Sequence, residues 1–374
     1  RSWKTANDPV KILHIISSLM SGGKENLLVN LCAACSLKGN SVAVIIINDM
    51  TDPEILGQLF AKDIHVTRIG RTPGSSIFPA LRQIRKQLKD FNPDLIHTHE
   101  DLSSVLGVIA TLGSKIKRAH TLHCGNMYPL TLKERITKFI QGRSIDAFIA
   151  ISSSVKKDFL ERCPVDANRV TVVENGVPLD RFHCNNKGGD RRLIVCVARL
   201  DHPIKGQDIL LRALHLLKEK RINFGCILVG DGASAEYLKN LASELGITKD
   251  IEFSGKQSDV SKFINRASIA VVPSRHEGFG ISAIEAMACG RPVIASATGG
   301  LCDLIQHGGN GLRFRTGDHN DLADQILRLS EDSELYEALV RAGHETAKRH
   351  SIEEMAWQYQ ALYEQIVNRF GESA

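Results

Sequence analysis

A chain of 374 residues exceeds the size at which one hydrophobic core stops growing, so two domains are expected. Its 43% hydrophobic and 24% charged residues are those of an ordinary soluble globular protein and exclude wholesale disorder. The formal charge of +5, with acidic residues throughout, argues against a dedicated nucleic-acid binder but leaves room for a local basic face.

In chain order, Val10–Ser17 is a short apolar run, followed by Ser21-Gly22-Gly23 and a helical pattern from Glu25 to Lys38. Cys32 and Cys35 form a C-x-x-C pair inside that helical pattern, not at a helix start, so they read as packing residues. The nine cysteines are scattered, mostly in apolar runs, which is the usage of a reduced compartment. No signal-peptide pattern is visible, and no run approaches the ~18–20 apolar residues that span a bilayer. A cytoplasmic location is expected.

Val42–Ile47 is a β-branched strand, and Asp94–His97, Arg118–Leu122 and Ala147–Ile151 are further strands separated by amphipathic segments. The polar, Gly-rich stretch ending at Asp190 breaks the alternation, and residues 184–190 read as a linker. Alternation restarts with strand Leu193–Ala198, helix Gly206–Lys220, strand Cys226–Val229 and helix Ala235–Leu245. Strand Ile251–Ser254, helix Val260–Ala267, strand Ile269–Val272, helix Ile281–Ala288 and strand Pro292–Ala295 follow. The pattern predicts an α/β protein of two Rossmann-like, doubly wound parallel-sheet domains, residues 1–183 and 191–350, facing across a cleft.

The segment Ser274–Gly290 follows a strand and opens a helix. Gly278 and Gly280 let a ligand approach the backbone, and the helix start at Gly280, Ile281 and Ser282 offers N–H groups to a phosphate. Glu277 stands on the loop, and Glu285 on the helix, where a carboxylate can grip the vicinal hydroxyls of a ribose. Arg199 sits at the carboxyl end of a strand and Lys205 precedes a helix. An Arg fork and a Lys point charge together can neutralise a diphosphate and stabilise it as a leaving group. Singly, each of these residues reads equally well as an ordinary surface charge.

His97 and His99, two apart at a strand end, are expected to point to opposite faces and not to share a metal. No Cys/His/Asp grouping has metal-site spacing, and no D-x-D pair follows a strand end. A site without metal is expected, with Arg, Lys and a helix start in the role of a cation.

Taken together and in order, Arg199 with Lys205-Gly206, Leu228-Val229-Gly230-Asp231-Gly232, Phe253-Ser254-Gly255 and Glu277-x7-Glu285 resemble family 4 glycosyltransferases of the GT-B fold. Gly22-Gly23-Lys24-Glu25, Asp94-Leu95-Ile96-His97-Thr98-His99 and Asn175-Gly176-Val177 with Phe182 extend the resemblance to the first half. It implies a retaining hexosyltransferase using a nucleotide diphosphate sugar, UDP-sugar first and GDP-sugar second, with no other cofactor. Arg199 and Lys205 would bind the diphosphate and Glu285 the ribose. The backbone near Gln257 would read the base. Glu277, with Phe279, Gly280 and Ile281, would surround the sugar and distal phosphate, and Gly278 and Ser282 would also belong to the donor site. Gly23 would close on the diphosphate and His123 would face the transferred sugar. The C-terminal helix, within residues 351–374, would pack back on the first domain.

The acceptor would be a saccharide or lipid-linked glycan, as in bacterial polysaccharide or lipopolysaccharide synthesis. Basic amphipathic segments at Leu81–Lys89 (Arg82, Arg85, Lys86, Lys89) and Leu132–Arg143 (Lys133, Arg135, Lys138, Arg143) suit peripheral membrane contact. A sugar-nucleotide epimerase of the same fold, or a transferase with a soluble acceptor, is the alternative. A dehydrogenase would need G-x-G-x-x-G after the first strand, which Ser21-Gly22-Gly23 does not supply. A non-catalytic sensor would have lost an Arg, Lys or Glu of the donor pattern, and none is lost.

Overall fold

The computed structural model describes residues 9–20, 22–123, 130–184 and 192–368. The chain forms two compact units, Arg1–Gly176 with Ile352–Ala374, and Val177–Ser351.

The first unit has a seven-stranded parallel sheet of β1 (Lys11–Ile16), β2 (Ser41–Asn48), β3 (His65–Arg71), β4 (Leu95–Thr98), β5 (Lys117–Leu122), β6 (Ala147–Ala150) and β7 (Val170–Val172). The strand order is β3-β2-β1-β4-β5-β6-β7. Strands buried on both faces need apolar residues at nearly every position, and β1 shows how they divide. Ile12 packs with Leu27, Leu31, Tyr359 and Tyr363, whereas Leu13 and Ile15 point the other way, toward Ala80, Ile84 and Leu106. Helix Ile352–Asn368 therefore belongs to the first unit through its Met355, Tyr359, Leu362, Tyr363 and Ile366. Each such side chain contributes about 1.5–3 kcal/mol by burial, which holds a segment remote in sequence.

The second unit has a six-stranded parallel sheet of β8 (Leu193–Val197), β9 (Gly225–Val229), β10 (Ile251–Gly255), β11 (Ile269–Val272), β12 (Val293–Ser296) and β13 (Leu312–Phe314), in the order β10-β9-β8-β11-β12-β13. Helices Gln207–Glu219, Ala235–Glu244 and His319–Glu331 bury Leu210, Leu214, Leu238, Leu241, Leu322 and Ile326 against Ile194, Cys196, Leu228 and Val271. Helix Ile281–Ala288 packs on β11 and β12.

Three strands lie outside the sequence expectation. β3 (His-Val-Thr-Arg-Ile-Gly-Arg) is an edge strand with two arginines and no buried residue, so its apolar signal is weak. β7 and β13 are three residues each, too short for a period to register. The predicted strands are otherwise present, with ends displaced by a residue or so. Most of the expected linker 184–190 lies outside the described residues.

In both sheets the strand order reverses, between β1 and β4 in the first and between β8 and β11 in the second. Ligands of such sheets bind outside the carboxyl ends of the strands at these switch points. The loops that leave β8 and β11 carry Arg199 and Glu277.

Candidate active site

The second unit assembles most of the expected residues. Arg199 follows β8, and its side chain, 65% exposed, lies 2.7 Å from Asp201 Oδ2. Lys205 ends the short helix His202–Lys205, and its Nζ is 2.8 Å from Glu277 Oε2. Ser274 Oγ donates to the same Glu277 oxygen at 3.0 Å. Chain reversal at Gly206 makes this meeting possible. Gly206 has φ +66°, and a Cβ there would stand 2.0 Å from Pro273 O, a distance only glycine escapes.

Arg275 clamps the two loops together. Its Nη1 and Nη2 reach Asp208 Oδ1 and Oδ2 at 2.7 and 2.8 Å, and Nη1 also donates to His202 O at 2.8 Å. The backbone N–H of Arg275 donates to Ile204 O at 2.8 Å. This bidentate pair fixes the segment bearing Lys205 beside the segment bearing Glu277. Glu277 O in turn accepts from Gly300 N at 3.0 Å, so the start of helix Gly299–Leu304, after β12, holds the Glu277 loop from its other side.

Helix Ile281–Ala288 starts at Gly280, whose φ of +108° and lack of a Cβ allow the turn beneath Leu301. No side chain caps this helix, and its first intrahelical acceptor, Gly280 O, serves Ala283 N and Ile284 N. Among the described residues the N–H groups of Ile281 and Ser282 thus face no backbone acceptor, the arrangement that suits an anion. Phe279 is only 2% exposed, with its ring 5.7 Å from that of His350, so it can offer a ligand its backbone alone.

Glu285, on the same helix, is partly covered. Desolvation pushes its carboxyl up to about 7, against a lowering by Arg181. Arg181 Nη2 also donates to Ser258 O at 3.2 Å, in the loop after β10 that carries Gln257. Gln257 Nε2 donates to Ser254 O at 2.6 Å, which orders that loop from within.

The first unit holds Gly23 and His123. Gly23 opens helix Gly23–Leu37, where Lys24 pairs with Glu100 and Glu100 Oε2 accepts from Ser17 N at 2.5 Å. His123 follows β5, and its Nε2 is 3.3 Å from His99 Nδ1. Residues 124–129, within the loop expected to set specificity, lie outside the described residues.

Two expectations need correction. His97 and His99 do not point apart: their ring centroids are 4.4 Å from each other. Residues two apart on a strand share a face, so the period of β4 itself sets the two rings side by side, and His99, just past the strand end at Thr98, donates its N–H to Ser103 Oγ at 3.2 Å in a turn into the next helix. Together with His14, these histidines bring three ligand atoms within 4.8 Å of one another, a grouping that spacing along the chain hid. Lys138 is the second correction. It is buried, 2.9 Å from Asp101 Oδ1, and so adds nothing to a basic outer face. Lys138 holds the Asp101 carboxyl below the usual range against the opposing effect of burial.

Cys32 and Cys35 are buried in helix Gly23–Leu37, and burial pushes the Cys35 thiol up to about 12. Such thiols are poor nucleophiles at neutral pH.

Two residues that shape the site escaped the sequence reading. Arg275 lies inside the quoted motif, but its partner Asp208 is 67 residues away. Arg181 acts on Glu285 from before β8 and carries no local signal.

Comparison with known proteins decides the family. Residues 181–346 match Glycosyl transferases group 1, and residues 21–181 match Glycosyltransferase Family 4. An uncharacterized glycosyltransferase of Methanocaldococcus jannaschii is 34% identical over 280 residues, covering 73% of this chain and 76% of the relative. The chain belongs to the glycosyltransferases.

Other relatives of this transferase include a D-inositol 3-phosphate glycosyltransferase of Streptomyces bingchenggensis, 32% identical over 71% of this chain and 64% of that protein. Among solved structures, Anabaena HepE in complex with UDP has a TM-score of 0.83 at 22% identity, covering 95% of this chain and all of that one. Sucrose-phosphate synthase from Thermosynechococcus elongatus has a TM-score of 0.81 at 22% identity, covering 95% and 99%. These likenesses establish a GT-B fold for the transferase.

Proposed function

We propose that this glycosyltransferase is a retaining hexosyltransferase that takes its sugar from a nucleotide diphosphate sugar, UDP-sugar before GDP-sugar. The observation that carries the reading is the Lys205–Glu277–Ser274 cluster, which groups a cation, a carboxylate and a hydroxyl at the switch point of the second sheet. HepE, of the same fold, has been crystallised with UDP and with UDP-glucose.

Arg199, Lys205 and the N–H groups of Ile281 and Ser282 would neutralise the departing diphosphate. Glu285 would hold the ribose and the backbone near Gln257 the base. Glu277, with Gly278, Phe279 and Gly280, would orient the sugar, Lys205 being released from Glu277 as phosphate takes its place. By the family resemblance, Gly23 would meet the diphosphate and His123 the transferred sugar. The bond from the anomeric carbon to phosphate breaks as that to the acceptor oxygen forms on the same face. The acceptor proton passes to the leaving phosphate oxygen. No step calls for a metal ion.

A thermal-shift comparison of UDP-, GDP- and ADP-sugars tests the donor. The true donor at 100 times its Kd stabilises the protein by about 2.7 kcal/mol, and no shift with any of them would sink the reading.

A saccharide or lipid-linked glycan is the proposed acceptor, met at the cytoplasmic face of a membrane. Among the described residues no helix is long and apolar enough to cross one. Helix Leu132–Ser144, however, exposes Leu132, Ile136 and Phe139 beside Lys133, Arg135 and Arg143, an apolar stripe with a basic border. That pairing suits contact with anionic lipid. Co-sedimentation with anionic vesicles should fall with salt and fall further in Ile136→Asp/Phe139→Asp. Equal pelleting of both proteins would remove the membrane from the account.

A further inference from the structure

We propose that His14 and His99 are positioning residues that place the ring proton of His123 on Nδ1, through a chain of imidazole–imidazole hydrogen bonds. The link to transfer rests on the reading of His123 as a sugar contact; the proton placement does not.

β1 and β4 are paired so that His14 stands beside His97, and the turn after Thr98 brings His99 to His14. His14 Nδ1 is 3.1 Å from His99 Nε2, and His99 Nδ1 is 3.3 Å from His123 Nε2. Ring planes 21° and 32° apart, with centroids 5.4 and 5.5 Å apart, meet edge to edge rather than face to face. The three rings make one continuous N···N chain.

The neighbouring histidines are committed elsewhere. His97 uses Nδ1 on Tyr363 OH and Nε2 on Thr121 Oγ1, both at 2.7 Å, so its nitrogens are spoken for by hydroxyls rather than open to a metal. His120 Nδ1 is bonded to Thr98 Oγ1 at 2.9 Å. Burial holds His14 and His123 near 3 and His99 well below its usual value, with Lys24 and His120 adding to the effect at His123. All three rings of the chain are therefore neutral at pH 7.

Three neutral imidazoles carry three N–H protons, and two of them occupy the two N···N bonds. The third must sit at one end, on His14 Nε2 or on His123 Nδ1. His14 Nε2 is buried with no hydrogen-bond partner among the described residues. A buried N–H without an acceptor is the rarer of the two defects, so that nitrogen keeps its lone pair. Every proton in the chain then points toward His123. Its Nε2 accepts from His99, and its Nδ1–H is a donor, ready for an oxygen of the sugar rather than for a hydroxyl proton.

Long-range 1H–15N correlation spectra of protein labelled at histidine read the tautomers directly, with His123→Gln assigning the His123 signals. The wild type should show His123 as the Nδ1–H form. In His99→Phe the population should move toward the Nε2–H form, and kcat should fall roughly tenfold with KM for the donor little changed, the cost of a hydrogen bond no longer offered. If His99→Phe does not fold, the wild-type spectrum alone decides the direction of the chain. An Nε2–H form of His123 in the wild type would overturn the proposal, as would an unchanged tautomer in His99→Phe. Stoichiometric Zn2+ binding with loss of the His14 and His99 signals would overturn it in favour of a metal centre. Full transfer by His123→Gln, with the tautomers as stated, would remove the sugar contact and leave the chain standing.

Discussion

Lys205→Ala will lower kcat/KM for the nucleotide-sugar donor by roughly 100- to 1,000-fold, the usual cost of removing one preorganised group that stabilises developing charge. The loss in folding will be small. The pair it breaks, at 2.8 Å from Glu277, has a Lys side chain 24% exposed, and Glu277 keeps its bond from Ser274 Oγ. About 1 kcal/mol is lost, or a few degrees in Tm. Lys218→Ala is the control. Its Nζ is also 2.8 Å from a carboxylate, that of Asp250, but at the far side of helix Gln207–Glu219 from Lys205 in sequence. Steady-state kinetics and melting of both variants separate a lost cation in the site from a lost ion pair anywhere. Equal turnover by the two variants would remove Lys205 from the chemistry.

Glu285→Gln will make the protein more stable and worse at binding its donor. Folding raises the Glu285 carboxyl from its ordinary 4.5 to about 7, because burial disfavours the charge. The folded state thus binds the proton more tightly than the unfolded one. Stability contributed by the neutral form is fully present below pH 4.5 and is lost as pH rises through 7. At pH 8 the ionised carboxylate costs on the order of 3 kcal/mol, which glutamine avoids. Denaturant melts should therefore coincide for wild type and variant near pH 4 and separate above pH 7, the variant being the more stable. Donor affinity should move the other way. An ionised carboxylate can accept from both ribose hydroxyls, while an amide offers one oxygen, so affinity falls by roughly 10- to 100-fold. Wild-type affinity should also decline below pH 7, and the variant's should not. Parallel melts at pH 8 would contradict the burial cost, and unchanged affinity would contradict the ribose contact.

This trade is what a binding site should show. A carboxylate held where ionisation is costly, if both results are obtained, serves its ligand rather than the fold.

Much of the candidate site in the second unit was legible because its residues are local. Gly278, Gly280, Glu277 and Glu285 fall within one loop and one helix, where a strand end, a glycine turn and a helix start follow in ten or so residues. Arg199 and Lys205 flank a second such junction. What was not legible depends on pairing at a distance. Arg275 meets Asp208 only because β8 and β11 are neighbours in the sheet. His14 meets His99, 85 residues on, only because β1 lies beside β4. At His97 and His99 the expectation of opposite faces ran against the strand period itself, since residues two apart share a face. Edge and three-residue strands were silent for another reason: β3 carries arginines where a central strand carries valines.

The central claim is that the second unit grips a nucleoside diphosphate through Arg199, Lys205 and Glu285. Calorimetric titration at pH 8 with the nucleoside diphosphate that stabilises the protein best tests this most directly. One-site binding by the wild type, weakened roughly 10- to 100-fold in each of Arg199→Ala, Lys205→Ala and Glu285→Gln, is the predicted result. Undiminished affinity in all three variants, or no binding of any nucleoside diphosphate by the wild type, would contradict it.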